Sequence, residues 1–236
     1  MKLLDLFAGA GGCSVGYTKA GFDVTGVDIK AHPDYPYTLV IADVLKFITQ
    51  DNWHDGYDVI HASPPCPRYS SITHVSGNPE DHPDLVPVMI EVLTATGKPW
   101  VIENVMGAPM LGSAIVCGSS FGLRVRRHRQ FLSNMPLKSS VCDHKSQGRA
   151  IGVYGNPTGS YESQLARYKR IGRDYGLRAE SVADAQDAMG INWMNKWDDL
   201  TDAIPPAYTK FIGLQICDAL HIPHNEIIGD ATHEHI

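Results

Sequence analysis

Leu3-Leu4-Asp5-Leu6-Phe7-Ala8-Gly9-Ala10-Gly11-Gly12 is a short apolar run that breaks into a glycine turn. The run has the length of a buried strand, and glycine opens backbone conformations closed to other residues. Residues 14–20 follow with helical composition, and Gly21 is placed to end that helix. Further along, residues 22–27 read as a second strand that ends on Asp28, and residues 38–42 as a third that ends on Asp43. Residues 57–62 form a fourth, followed by Ser63-Pro64-Pro65-Cys66-Pro67. Residues 84–96 have helical periodicity, with Pro87 tolerated in the first turn. Residues 99–102 make a fifth strand leading to Glu103-Asn104-Val105, and residues 129–132 a later one. Strands alternating with helices predict an α/β fold with a doubly wound, mostly parallel sheet.

Ligands of such sheets bind beyond the carboxyl ends of the strands. Gly9, Gly11, Asp28, Asp43, Cys66 and Glu103 all fall at or just past predicted strand ends, so they are expected along one edge. The turn would bring a ligand close to backbone N–H groups at a helix start. Asp28, 17 residues after Gly11, can accept from two ribose hydroxyls, and Asp43 from an adenine amino group. Together they describe an adenosine site, against the plainer reading of a turn with two solvated carboxylates. The spacing does not match GxGxxG, and no phosphate-loop lysine is present, which argues against a nicotinamide oxidoreductase.

Cys66 stands in a proline-stiffened loop, where a thiolate would be a nucleophile if nearby positive charge lowers its pKa. Taken alone, a structural thiol is the commoner explanation. Glu103 could serve as an acid or hydrogen-bond partner beside that loop; alone it reads equally as a surface carboxylate. Arg124, Arg126, Arg127 and Arg129 form either a solvated charge run or a phosphate clamp, with Arg127 and Arg129 on one strand face.

These residues together resemble the cytosine carbon-5 methyltransferase family. Asp5-Leu6-Phe7-Ala8-Gly9-Ala10-Gly11-Gly12 is similar to its glycine motif, Pro65-Cys66 to its catalytic pair, and Glu103-Asn104-Val105 to its acidic motif. Phe121-Gly122 followed by Arg127 and Arg129 resembles its paired-arginine segment, and residues 203–213 its closing segment. The resemblance implies a Rossmann-like, S-adenosylmethionine-dependent fold. It implies cofactor contacts from Phe7, Gly9, Gly11, Gly12, Asp28, Ile29, Asp43 and Pro65, with S-adenosylhomocysteine as product. It further implies that Cys66 attacks carbon 6 of a flipped-out cytosine, that Glu103 holds the base, and that Arg129 with Arg127 steadies both. Pro67, Val125 and Ile204-Pro205 depart from the family's usual Gln, Gln and Gly-Asn.

Residues 139–184, rich in Gly, Ser, Tyr and Arg, read as a small target-recognition insertion, leaving 1–138 and 185–236 as the catalytic domain. Tyr154, Tyr161, Tyr168 and Tyr175 recur every seven residues. They could line one helical face toward nucleic acid or pack the insertion onto the core; Gly155, Pro157 and Gly159 exclude a helix before Tyr161. The net charge of −6 does not announce a nucleic-acid binder, so DNA would be held by local basic residues. Five cysteines, at 13, 66, 117, 142 and 217, form no CxxC pair, so reduced thiols and no metal are expected. No signal peptide or apolar run of spanning length is present. The implied protein is a monomeric, cytoplasmic DNA methyltransferase, similar to compact members carried by bacteriophages or serving restriction-modification. RNA is the alternative substrate, because Ser63-Pro64-Pro65-Cys66 also resembles the tRNA-methylating branch. A third reading is a protein that binds cofactor and nucleic acid without catalysis.

Overall fold

The computed structural model describes residues 1–69, 78–156, 159–172 and 176–222. Its first unit is β1 (Lys2–Leu6), the glycine turn, and α1 (Gly12–Lys19). There follow β2 (Asp23–Asp28), β3 (Thr38–Ile41), α2 (Val44–Phe47), β4 (Val59–Ala62), α3 (Leu85–Ala95) and β5 (Trp100–Val105). β6 (Ala114–Val116) and β7 (Arg129–Ser133) complete a seven-stranded sheet in the order β3-β2-β1-β4-β5-β7-β6. The strands from β3 to β5 are parallel; β7 runs antiparallel to both of its neighbours. The mostly parallel, doubly wound sheet expected from the sequence is present.

Strand alternation sorts the core. Leu3, Val59 and Val101 face one side with Tyr17 of α1, while Leu4, Leu6, Ile60, Ala62 and Ile102 face the other with Val86, Met89 and Leu93 of α3. Both faces are buried, so these strands read as near-continuous apolar runs. Chain order reverses between β1 and β4. The sheet therefore opens a crevice there, at the strands' carboxyl ends, between the glycine turn and the Ser63–Cys66 loop.

The C-terminal part contributes α6 (Val182–Met189), α7 (Trp197–Asp202) and α8 (Pro206–Ala219). α8 lies along α1. Two glycines of α1 permit that approach: a Cβ on Gly12 would strike the Ile204 carbonyl, and one on Gly16 would strike Thr209 and the Pro206 carbonyl. Thr209 Oγ1 then donates to the Cys13 carbonyl at 2.8 Å.

Between β7 and α6 lie α4 (His144–Gln147), β8 (Ile151–Gly152), α5 (Tyr161–Ile171) and β9 (Leu177–Arg178). β8 and β9 pair in parallel. Ile151, Val153 and Leu177 pack with Ala185, Met189 and Leu200, so this apolar cluster draws on residues both before and after 184. α5 begins at Tyr161, as the upstream glycines and Pro157 required. Of the four tyrosines, Tyr161 and Tyr168 pack against that cluster, Tyr154 is exposed, and Tyr175 lies outside the described residues.

Candidate active site

A cavity of about 540 Å³ occupies the crevice. Its walls include Phe7 and Gly9 from the turn after β1, Asp28 and Ile29 from the end of β2, and Asp43 and Pro65. Phe7 and Gly9 both adopt left-handed backbone, at φ 61° and 53°, which folds the turn back over the strand end. The Asp28 carboxylate braces that turn, accepting from Gly9 N at 2.9 Å and from Lys30 N at 3.0 Å. Asp43 caps α2 by accepting from Leu45 N at 2.9 Å. Ile29 is 64 % exposed, a large apolar side chain held at the rim. Gly12 also lines the cavity, but Gly11 does not: at φ 91° its Cα faces the Tyr35 and Pro36 side chains, so it shapes the turn instead.

Cys66 stands where this cavity meets a second, larger one of about 1230 Å³. The larger cleft runs between the Cys66 loop and the segment carrying Ile151, Tyr154 and Leu177. The cysteine loop is pinned from β5: Asn104 Nδ2 donates to the Pro64 carbonyl at 3.0 Å, and the Cys66 carbonyl accepts from Tyr69 N at 2.9 Å. Burial pushes the Cys66 thiol up, and the Arg129 cation pulls the other way.

Glu103 lies inside β5 rather than beyond its end, opposite Phe131. Arg129 pairs with Val105, so register puts it diagonal to Glu103 on the same face. Arg129 Nε comes 3.1 Å from Glu103 Oε1. The alignment makes this a charge contact, and the buried Oε1 has no hydrogen-bond partner among the described residues. Burial raises the Glu103 carboxyl, against the lowering effects of Arg129 and of a hydrogen bond with Ser63.

Beneath it runs a buried polar band on the α1 face of the sheet. Tyr17 Oη lies 2.9 Å from His61 Nδ1, and His61 Nε2 lies 2.8 Å from Ser63 Oγ. Burial holds His61 down to about 3, hence neutral. With Glu103 ionised, the orientation that satisfies each group runs from Tyr17 through His61 and Ser63 to the carboxylate. Sequence reasoning missed this relay, because His61 and Tyr17 look like ordinary core positions. It also missed Asp202, which lines both cavities and carries no motif.

The arginine run departs from its sequence reading. Arg127 precedes β7 at φ 39°, so it shares no strand face with Arg129. It is held by the Val153 and Thr201 carbonyls, and burial works against its charge. Arg124 pairs with Asp184 and Asp187, at 2.9 and 2.7 Å, and Arg126 reaches Gln147 at 3.2 Å. These guanidinium groups are therefore tied to the protein and do not form a free phosphate clamp.

The doubly wound sheet, with a glycine turn, two carboxylates and a thiol at its switch point, has the Rossmann-like fold of known methyltransferases. Among solved structures, a chain described as a DNA modification methyltransferase encoded within an E. coli prophage superposes with a TM-score of 0.62 at 14 % identity. That match covers 94 % of this chain and 99 % of the other. The Dnmt2 methyltransferase of S. pombe superposes at 0.57 with 13 % identity, covering 94 % and 99 %. Residues 1–109 match the family model for C-5 cytosine-specific DNA methylase. Type II methyltransferase M.AplI of Arthrospira platensis is 34 % identical over 112 residues, which span 45 % of this chain and 32 % of that protein. M1.HphI of Haemophilus parahaemolyticus is 32 % identical over 120 residues, spanning 44 % and 32 %. The chain matches about a third of the length of these relatives. Its first 109 residues are thus similar to the cytosine carbon-5 methyltransferase family.

Proposed function

We propose that the protein methylates carbon 5 of cytosine in DNA. The observation that carries this reading is the position of Cys66 on the wall shared by the two cavities. The smaller suits S-adenosylmethionine: its volume lies within the ordinary ligand range of about 300–1,000 Å³, and Asp28, Asp43 and the exposed Ile29 offer ribose, amino-group and ring contacts. Phe7, Gly9, Gly12 and Pro65 complete the wall. When bound, the cofactor supplies an electrophilic methyl group. The chain's own residues must make carbon 5 reactive toward it. Cys66 Sγ bonds to carbon 6, and the electrons of the 5,6 double bond move toward carbon 5. Glu103, raised by burial and with Oε1 unpaired, holds ring nitrogen 3 and the amino group as charge develops there. Arg129 steadies Glu103, and Arg127 buttresses the cleft wall through Val153 and Thr201. Once carbon 5 carries the methyl group, transfer of its proton to solvent would re-form the 5,6 double bond and expel the Cys66 thiolate. The larger cleft receives a base taken out of the stack. Residues 139–184 would supply the recognition contacts.

A second reading, cytosine in RNA, rests on the Ser63-Pro64-Pro65-Cys66 form of the loop. Transfer of a labelled methyl group to DNA and to tRNA separates the two. DNA containing 5-fluorocytosine should trap a covalent adduct, because fluorine cannot leave as a proton. Cys66→Ala should abolish transfer and adduct while leaving cofactor affinity within a few-fold. Turnover by that variant removes the mechanism.

A further inference from the structure

Beside the larger cleft, where His128 forms part of the wall, four side chains with metal-ligand chemistry converge. Cys117 follows β6, His128 immediately precedes β7, and Cys142 and His144 flank the start of α4. Their ligand atoms all lie within 4.8 Å of one another. Cys117 Sγ is 3.3 Å from His144 Nε2, and Cys142 Sγ is 3.4 Å from His128 Nε2. The two imidazoles meet edge to face, with centroids 5.2 Å apart. In a tetrahedral zinc site, with Zn–S of about 2.3 Å and Zn–N of about 2.0–2.1 Å, sulfur and nitrogen ligands sit roughly 3.6 Å apart.

We propose that Cys117, His128, Cys142 and His144 bind one Zn²⁺ ion as a closed structural site. The donor set selects the metal. Two thiolates and two imidazoles suit zinc, whereas magnesium and calcium need oxygen ligands. Binding deprotonates both thiols, releases two protons, and leaves the ion's charge neutralised. Four protein donors fill the tetrahedron, so no position remains for catalysis. The loops that present the donors are shaped by bonds the metal does not use. Cys117 N donates to Ser140 Oγ, and Asp143 N to Ser119 Oγ, both at 3.0 Å. Ser120 Oγ donates to the Val141 carbonyl at 2.7 Å, and Gly118 N to the Arg126 carbonyl at 2.8 Å. Asp143, between two ligands in sequence, is occupied in capping α4 through Ser146 N. Cys117 is buried and Cys142 exposed, which gives an ion a path in.

The site ties three segments distant in sequence. His128 sits between Arg127 and Arg129, so the ion anchors the stretch that carries both arginines. Gln147, at the end of α4, donates to the Leu123 and Val125 carbonyls at 2.8 and 2.9 Å, extending the same joint. Zinc would therefore fasten the first part of the 139–184 segment to the catalytic edge. No spacing motif announces the site: Cys142 and His144 are close neighbours, but the other two ligands arrive only through the fold.

The test is elemental analysis of the full chain, purified under reducing conditions without chelator. About one zinc per chain is expected. Replacement by Co²⁺ should give tetrahedral visible bands and a thiolate-to-metal charge-transfer band. Cys142→Ser and His144→Ala should each lose the ion, while Cys217→Ser, in the distant core, keeps it. Chelation should lower the melting temperature, and added zinc should restore it. If the variants do not fold, the cobalt spectrum of the wild-type chain still decides. A folded wild-type chain that binds neither metal overturns the proposal. So does a Cys117–Cys142 disulfide in the reduced preparation, or zinc retained by the Cys142→Ser, His144→Ala double variant.

Discussion

Asp5 lies in the middle of the apolar run that opens the sequence, yet it is fully buried. Ser14 Oγ lies 2.5 Å from its Oδ2, Tyr35 supports Ser14 at 2.9 Å, and Oδ1 has no partner among the described residues. Burial pushes the carboxyl up to about 7, with Asp28 and Glu103 adding to the rise. In the unfolded chain Asp5 ionises near 3.8. Between those values the folded state binds the extra proton, so this group costs stability increasingly as pH rises from about 4 to about 7. Asp5→Asn removes that dependence. In urea melts, the variant's stability relative to wild type should improve across that window, by up to about 4 kcal/mol at pH 8. A difference that does not vary with pH would show that Asp5 stays ionised in the fold. His61 gives the opposite slope, being neutral in the fold and protonatable once exposed, but it is common to both proteins and cancels. The strand-end positions of Asp28, Asp43 and Cys66 were legible in sequence, whereas Glu103 proved to lie inside β5 and Arg127 before β7. The polar band beneath them was not legible, since nothing in sequence tells a hydrogen-bonded core histidine from a packed one.

Among the elements, the strands were the clearest. β1, β4 and β5 are almost wholly buried, and a parallel strand buried on both faces reads as a near-continuous apolar run. β6 was missed because three residues show no period, and the antiparallel direction of β7 is set by pairing, which composition does not encode. α5 was foreshadowed only by the breakers before it. Ser160 caps it through Ser163 N at 3.2 Å, and Gly172, at φ 67°, ends it. Its inner side carries Tyr161 and Tyr168, so the seven-residue spacing serves packing at those two positions. Its Arg167, Lys169 and Arg170 are exposed. With the Arg124 to Arg129 run committed internally, this helix is the candidate phosphate contact. Changing all three to Gln should flatten the salt dependence of DNA binding by roughly two to three units of log–log slope, at about 0.9 for each phosphate no longer neutralised. Cofactor affinity should stay as it was. An unaltered slope in a binding series across salt would move the DNA grip to another surface.

α1 and α8, nearly 200 residues apart in sequence, pair along their lengths. α1 and α8 form the most extensive helix–helix interface, and both glycines at the joint face backbone rather than only side chains that could move aside. Gly16→Ala should therefore overpack the joint by about 1–3 kcal/mol. For a chain of this size, that lowers the melting temperature by roughly 2–12 °C. A thermal shift within error of wild type would mean that α8 can slide away at little cost. No helix among the described residues is long and apolar enough to cross a membrane. The net charge of −6 makes the distribution of basic residues, not their sum, the determinant of any nucleic-acid contact.

The same joint has a consequence for the chain while it is being made. α1 leaves the ribosome before the surface that covers it, which is synthesised roughly 200 positions later. At roughly 5–20 residues per second, that interval lasts on the order of 10–40 s. Throughout it, Tyr17, Phe22 and the apolar side of β1 have no lid. The growing polypeptide should display a sticky patch to chaperones until α8 emerges and closes over the first helix.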